Sequence, residues 1–164
     1  MVVIFNSSPI IFLAKLSFIN EALSLFETSY IPESVIKEIL FKKDESSKAC
    51  RELLKSKKLF KVKVKNRRLF TALNRKLGKG ESESIVFAIE NEKVDFVILD
   101  DHVARKEALR LGLKVKGTLG IIRRLYKLGK LSNLPLEELY KKLLNINFRV
   151  KKEIFKEIFK EWLC

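Results

Sequence analysis

The segment DFVILDDHVARKEALRLGLKVKGTLGII, which runs from Asp95 to Ile122, decides the fold of this chain. It opens with a nearly continuous apolar run that ends at Asp100, a pattern typical of a central strand buried on both faces. The segment then predicts a helix, a brief strand and a second helix, over residues 102–111, 113–115 and 118–128. Gly112 and Gly129 mark where the two helices end.

The rest of the chain shows the same alternation of strands and helices. Strands are predicted over residues 2–5, 29–31 and 59–65, and helices over 9–16, 20–26, 32–40, 45–57, 81–92, 136–144 and 150–162. Such alternation predicts a three-layer α/β/α fold with a central, mainly parallel sheet. Without a linker, repeat or hinge, residues 1–164 are expected to form one domain. Its C-terminal helices, from about residue 134, pack on it or form a partner face.

The charge of the chain favours a polyanionic partner. The sequence has 34 Lys and Arg against 20 Asp and Glu, a formal net charge of +14. RNA is the partner we expect, because each phosphate neutralised by a cation releases condensed counterions. Heat-adapted proteins also carry many charges, but heat adaptation predicts both signs in similar number.

Composition excludes several other classes of protein. Cys50 and Cys164 cannot form a disulfide framework, and a single histidine leaves no Cys/His zinc site. We expect one half-buried thiol at Cys50 and a free thiol at the frayed terminus at Cys164. The apolar N-terminal stretch lacks the basic start of a signal peptide, and residues 6–9 divide it into pieces too short to span a bilayer. A cytoplasmic protein without a membrane partner is therefore predicted.

Acidic and amide side chains recur where strands end and helices begin. Asn6 follows the first strand, Asp100 and Asp101 follow the buried strand, Glu81 opens a helix and Glu38 lies on the helix after the second strand. Because sites in parallel sheets form at the carboxyl ends of the strands, these side chains are expected to share one pocket. Clustered carboxylates repel one another, and Mg²⁺ or Mn²⁺ relieves that repulsion. A carboxylate cluster beneath a basic surface predicts metal-assisted phosphodiester hydrolysis.

Four segments resemble the PIN domain, the fold of VapC-type toxin ribonucleases. They are NSSPIIFLAKL from Asn6, IPESVIKEIL from Ile31, GKGESESIVFAIE from Gly78 and VILDDHVARKEALRLGLKVKGTLGII from Val97. The similarity is closest to a branch with an Asn/Asp-x-Ser-Pro start, a Gly-Glu-x-Glu helix and an Asp-Asp-x-x-Ala-Arg segment. These pieces cover most of the chain, in order and at natural spacing.

The resemblance implies a divalent-metal-dependent endoribonuclease, with the carboxylates of the site serving catalysis through the ion. It places the metal ligands at Asn6, Glu38, Glu81 and Asp100 or Asp101, and it implies the toxin of a toxin–antitoxin pair, with an antitoxin protein as partner. Most active PIN domains have Asp where this chain has Asn6. An amide oxygen still ligates a hard cation, but it lacks the full negative charge, so the metal affinity is expected to fall.

The residue assignments differ in how firmly the sequence supports them. On a helical wheel Glu81 falls near the buried side of its helix, whereas Glu83 points away and is expected to be a solvated surface charge. One of Asp100 and Asp101 should reach the pocket while the other caps the next helix, and either order fits the sequence. Ser8 either caps the first helix or supports the first ligand or a metal-bound water, as hydroxyls at this spacing do in PIN domains.

Basic residues form two candidate RNA-backbone contacts. The first cluster contains Lys63, Arg67 and Arg68, and the second contains Arg123, Arg124 and Lys127. Charge runs are more often solvated faces than binding sites. Arg105 lies one turn beyond Asp101 and is expected to form an ion pair with that acid rather than to contact a phosphate.

Two functions remain open from the sequence. The first is the metal-dependent ribonuclease, and the second is a catalytically weak or inactive PIN fold that binds RNA or a protein without cutting. A phosphorylated receiver domain is disfavoured, because receivers carry their acidic pair after the first strand. The apolar C-terminal residues either pack within the monomer or form a homodimer face; they are Ile154, Phe155, Ile158, Phe159 and Trp162.

Overall fold

The computed structural model describes residues 1–163. Within them five strands, β1–β5, run over Val2–Phe5, Thr28–Pro32, Phe60–Val62, Phe96–Ile98 and Val115–Lys116. Ten α-helices, α1–α10, run over Ser7–Lys15, Ile19–Leu23, Glu33–Phe41, Glu45–Lys55, Arg67–Asn74, Lys79–Glu90, His102–Arg110, Thr118–Lys127, Leu136–Asn145 and Lys152–Ile158. A 3₁₀ turn follows at Lys160–Trp162.

The five strands form one parallel sheet in the order β3-β2-β1-β4-β5. Strand β1 lies at its centre, with Ile4 paired to Tyr30 of β2 on one side and to Val97 of β4 on the other. Crossovers in opposite directions from β1 open a crevice beside its carboxyl end, where parallel sheets bind ligands. The predicted parallel α/β fold is confirmed.

Helices cover both faces of the sheet. Val3 and Phe5 pack in one core cluster while Ile4 packs in the other, and none of these three side chains is exposed. This separation follows from the period of two that places successive strand residues on opposite faces. Helices α5, α6 and α7 cover the Ile4 face, and the remaining helices supply the opposite layer.

Residues 59–74 differ from the sequence prediction. The strand expected over 59–65 is limited to Phe60–Val62, and α5, which was not predicted, follows it. The side chain of Asn66 caps α5 by accepting a hydrogen bond from Leu69 N at 2.9 Å. Phe70 is buried and belongs to the core cluster on the Ile4 face of the sheet. This helix was missed because the period-two pattern of the preceding lysines runs directly into its charged first turn.

The glycines at the predicted helix ends adopt the left-handed conformation that stops a helix. Gly112 has φ of +83° and Gly129 has φ of +71°. Beyond Gly112, the backbone N–H of Leu113 donates to the carbonyl of Ala108 at 3.0 Å, which closes the end of α7. The predicted turn from α7 into β5 is therefore confirmed.

The C-terminal helices pack on the domain. Leu139, Leu143 and Phe159 have no exposed surface and belong to the main core cluster. Ile154 is 51% exposed, so α10 also presents apolar surface to solvent. Packing accounts for most of the predicted apolar face.

Cys50 is more deeply buried than predicted, with no exposed surface, and burial raises the pKa of its thiol to about 11. Cys164 lies outside the described residues. None of the helices within residues 1–163 is both long and apolar enough to cross a membrane.

Candidate active site

Asn6 occupies the position directly after the central strand. Its backbone N–H still donates to Ile98 O at 3.0 Å, which extends the β1–β4 pairing by one residue. The residue is only 4% exposed. Helix α1 begins at Ser7, so Asn6 is the N-cap residue, yet its side chain makes no capping hydrogen bond. Ser8 is the second helical residue and not the cap, which leaves its other predicted role, supporting the site.

The side-chain oxygen of Asn6 is buried without a partner. Among the described residues, Asn6 Oδ1 is the only buried side-chain nitrogen or oxygen that lacks a hydrogen bond. An unsatisfied buried acceptor is costly, and native proteins rarely retain one without a ligand or water at that point. Asn6 lines a cavity of about 360 Å³ together with Glu38, Gly80 and Glu81.

Gly80 keeps the space beside Asn6 open. A Cβ atom at this position would lie 3.1 Å from Asn6 Oδ1, 3.5 Å from Glu38 Oε2 and 2.8 Å from Val35 Cγ2. The amide oxygen of Asn6 and the carboxylate oxygen of Glu38 therefore both lie near the space that a side chain at position 80 would fill. The sequence signal for this opening is the Gly-Lys-Gly stretch at residues 78–80, directly before Glu81.

Glu81 joins this cavity from the first turn of α6. Its Oε2 accepts a hydrogen bond from Gly78 N at 3.0 Å, which is one half of a capping box, and Gly78 has no side chain to supply the other half. Burial raises the pKa of Glu81, and the negative charges of Asp101 and Glu38 raise it further, against the opposing effect of the Gly78 hydrogen bond. Three acids from α3, α6 and the start of α7 are thus close enough to repel.

The two adjacent aspartates cap two different helices. Asp101 Oδ2 accepts from Ala104 N at 2.9 Å and caps α7. Asp100 turns the other way, where its carboxylate accepts from Thr118 N at 2.7 Å and from Thr118 Oγ1 at 2.6 Å. It therefore caps α8, whose own N-cap residue, Gly117, has no side chain to do so.

Asp100 is held at the edge of the site and not in the cavity of Asn6. Burial raises its pKa, while the Thr118 hydrogen bonds and the charge of Arg105 oppose that rise. Arg105 donates to Leu99 O at 2.8 Å and acts electrostatically on Asp100. The expected ion pair of Arg105 with Asp101 is absent from the described residues.

A hard divalent cation fits the cavity of Asn6. Mg²⁺ commonly takes one or two carboxylates and keeps several waters. Asn6 Oδ1, Glu38 and Glu81 supply such a set, and a cation there would satisfy the orphaned amide oxygen and relieve the repulsion at Glu81. Within residues 1–163 no three acidic, histidine or cysteine side chains are already gathered as a metal cluster. The residues fit an ion with few protein ligands, not a cage of four carboxylates.

The prediction that Glu83 is a solvated surface charge is wrong. Glu83 is only 7% exposed, and its Oε2 accepts from Ser34 Oγ at 2.6 Å and from Ser34 N at 3.2 Å. The helical-wheel argument failed because α6 is covered on several sides, by α3, α5 and the sheet. Glu83 instead connects α6 to the first turn of α3, the helix that carries Glu38.

None of the basic residues predicted to contact RNA lines the cavity of Asn6. Lys63 lies 3.5 Å from Glu33, and Arg67 lies 3.9 Å from Glu83 and over the ring of Phe70. Arg68 is exposed on the same helix as Arg67.

The second cluster is divided along α8. Arg123 donates to Ile158 O at 3.1 Å and pairs with Glu161. Arg124 lies in a separate cavity beside Met1, at the amino end of β1 and so at the opposite edge of the sheet from Asn6. Lys127, in the last turn of α8, is exposed.

A comparison with family models agrees with the resemblance read from the sequence. The model DUF3368, described as a PIN domain, matches residues 2–163. No curated protein matches the chain. The match includes Asn6, Glu38, Glu81 and both aspartates after β4.

Proposed function

We propose, from the premise that this chain belongs to the PIN-domain family, that it is a cytoplasmic endoribonuclease that depends on Mg²⁺ or Mn²⁺. A PIN-type, nuclease-like fold is what the family match supports. The metal dependence and the RNA substrate are the parts that experiments must test.

The buried, unpartnered oxygen of Asn6 carries this proposal. It lies at the carboxyl end of the central strand, and both it and Glu38 Oε2 are within about 3.5 Å of the position that a Cβ at Gly80 would take, while Asn6, Glu38 and Glu81 line one cavity. A cation bound there would lower the pKa of an attacking water and stabilise negative charge on a phosphate. Asn6, Glu38 and Glu81 would hold it, while Asp101 adds negative charge near Glu81.

Helix termini at the same cavity favour a phosphate. Ser7 and Ser8 begin α1, and Lys79 begins α6, and all three line the cavity. The free N–H groups and the positive dipole end of a helix attract anions. Oxygen ligands for a cation and helix N-termini for a phosphate are thus brought together.

The test is cleavage of an end-labelled RNA by the purified chain, with Mn²⁺, Mg²⁺ or EDTA. Products should appear only with metal. Glu81→Gln keeps an acceptor for Gly78 N but removes the charge. It should slow cleavage by at least about 10- to 100-fold, which is the loss typical of residues that only hydrogen-bond to a metal ligand. The matched control is Glu92→Gln, an exposed acid just past the same helix, which should cut at the wild-type rate.

Metal binding provides a second readout that does not depend on cleavage. Titration with Mn²⁺, followed by calorimetry, should show weaker binding in Glu81→Gln and in Glu38→Gln. Asn6→Asp should bind Mn²⁺ more tightly, since a carboxylate replaces the amide. Equal cleavage in EDTA, or unchanged metal affinity in all three variants, would contradict the proposal.

A second candidate function is binding without cleavage. Asp100 is engaged by Thr118, and among the described residues no three acidic, histidine or cysteine side chains are already placed to hold a metal ion. A PIN fold of this kind would bind RNA or a protein equally well with and without metal and give no products. The cleavage assay separates the two functions directly.

The proposal extends to the toxin of a toxin–antitoxin pair. Its support is the family, and its test is growth. Expression of the wild-type chain should arrest cells and expression of Glu81→Gln should not, whereas equal growth would contradict the toxin role.

A further inference from the structure

A second and larger depression lies beside the candidate active site. This cleft has a volume of about 890 Å³ and is formed by the starts of α7 and α8, the end of β5 and residues 148–158. It contains six basic or potentially basic side chains, which are His102, Arg105, Lys116, Arg123, Arg149 and Lys151. Asp100 is the only acid among the described residues that line it, and Asp100 is bound to Thr118.

The cations of the cleft are not equally available. Arg105 donates to Leu99 O, and Arg123 is held by Ile158 O and Glu161. Arg149 and Lys151 are exposed, and within residues 1–163 neither side chain has a hydrogen bond or an ion pair. They are therefore free to bind an anion without first breaking a contact within the chain.

The cleft and the cavity of Asn6 are formed by shared or adjacent elements. Asp100 lines the cleft, and the next residue, Asp101, acts electrostatically on Glu81 in the cavity. Helix α1 makes a second connection, since it begins in the cavity at Ser7 while its Phe12 lines the cleft. A polymer in the cleft would therefore lie close to the elements that carry the proposed metal site.

We propose that this cleft binds the single-stranded RNA on its way to the cavity, with Arg149 and Lys151 as contacts to phosphates. This inference rests on the proposed function and adds the path of its substrate. The apolar part of the lining includes the partly exposed Phe12, whose ring lies edge-on to Phe148 at 4.9 Å. Cationic side chains for the backbone, combined with apolar and aromatic surface for unpaired bases, are what proteins use to bind single strands.

Binding of a fluorescent single-stranded RNA of about 12 nucleotides, a length within the usual site size, tests the proposal. Fluorescence anisotropy in EDTA measures Kd without cleavage. The test variant is Arg149→Ala/Lys151→Ala. The control is Lys48→Ala/Arg51→Ala, which removes the same two charges from the exposed side of α4. Thermal melts check that both variants fold.

For single strands, each phosphate contact contributes about 0.7 to the steepness with which the logarithm of the association constant falls against the logarithm of the salt concentration. Loss of two contacts should therefore reduce the magnitude of that slope by about 1.4. At about 0.15 M salt this corresponds to roughly tenfold weaker binding. The control should keep the wild-type Kd and slope. Two results would overturn the proposal. An unchanged slope in the test variant would mean that Arg149 and Lys151 do not contact phosphates, and an equal loss in the control would mean that binding depends only on the net charge of the protein.

A competitor decides between RNA and an acidic peptide as occupant. RNA bound in the cleft should resist polyglutamate at the same concentration of charge. Displacement by polyglutamate would overturn the proposal in favour of a peptide. Because binding is measured without metal, loss of cleavage in Glu81→Gln and loss of RNA binding in the cleft variant are independent results, and either proposal can fail alone.

Discussion

Asp100 is predicted to contribute more to stability than its neighbour Asp101. Its carboxylate accepts two hydrogen bonds from Thr118, one of them from the first backbone N–H of α8. Thr118 is completely buried, so neither donor can turn to bulk water when the acceptor is removed. Asp100→Ala removes both bonds, whereas Asp100→Asn keeps an oxygen for Thr118 N and gives an amide donor to Thr118 Oγ1.

The magnitudes follow from the two donors. A buried donor left without an acceptor costs about 1–3 kcal/mol. Loss of both bonds, with some relaxation by the hydroxyl, should lower the free energy of unfolding of Asp100→Ala by about 2–4 kcal/mol. Asp101→Ala removes one cap from an exposed position and should cost about 1 kcal/mol. Asp100→Asn should stay within about 1 kcal/mol of wild type. Its hydrogen bonds with Thr118 are weaker than those of the carboxylate, but the neutral amide avoids the cost of burying a charge.

Urea unfolding in EDTA, with equal m-values required for comparison, measures these differences. The expected order of destabilisation is Asp100→Ala, then Asp101→Ala, then Asp100→Asn. Asp100→Ala costing less than Asp101→Ala would refute the capping role, as would equal losses in the two Asp100 variants. An Asp100→Asn protein that is stable but binds Mn²⁺ poorly would show that this carboxylate also serves the metal.

Three further predictions concern the cavity and its supports. Gly80→Ala should destabilise the fold by about 1–3 kcal/mol and weaken Mn²⁺ binding, since the added methyl meets Val35 at 2.8 Å. The matched control is Gly120→Ala, which has open space around it and should be neutral or stabilising; thermal melts compare the stabilities of the two variants. Glu81→Gln should be more stable than the wild type at neutral pH without metal, because burial and neighbouring acids raise the pKa of Glu81 above 4.5 in the folded state. Folding favours the protonated form of Glu81, and this contribution to stability is lost as pH rises through the raised pKa. The difference in unfolding free energy between Glu81→Gln and wild type should therefore vanish below about pH 4, and a difference that does not change with pH would contradict the raised pKa as its cause. Glu83→Ala should lower the free energy of unfolding, measured in urea, by about 1–3 kcal/mol, since Ser34 N and Ser34 Oγ both lose their acceptor, and an unchanged stability would contradict this connection between α6 and α3.

The candidate site was predictable as a set of positions but not as a set of contacts. The end of β1 and the start of α6 follow from local signals, and these place Asn6 and Glu81 at one edge of the sheet. The different roles of Asp100 and Asp101 depend on Thr118, a residue that reaches them only through the fold. The reversal at Glu83 has the same cause, because its burial comes from the neighbouring α3.

Local sequence thus determined the parallel α/β fold. The apolar run into Asp100 and the left-handed turn at Gly112 depend on side-chain burial along one strand and on backbone freedom at one residue. Tertiary structure alone decided that α5 continues the core and that residues 148–158 close the basic cleft. It also decided that Asn6 Oδ1 is left without a partner. These features depend on distances between segments far apart in the chain, where hydrogen bonding and burial are set by packing and not by periodicity.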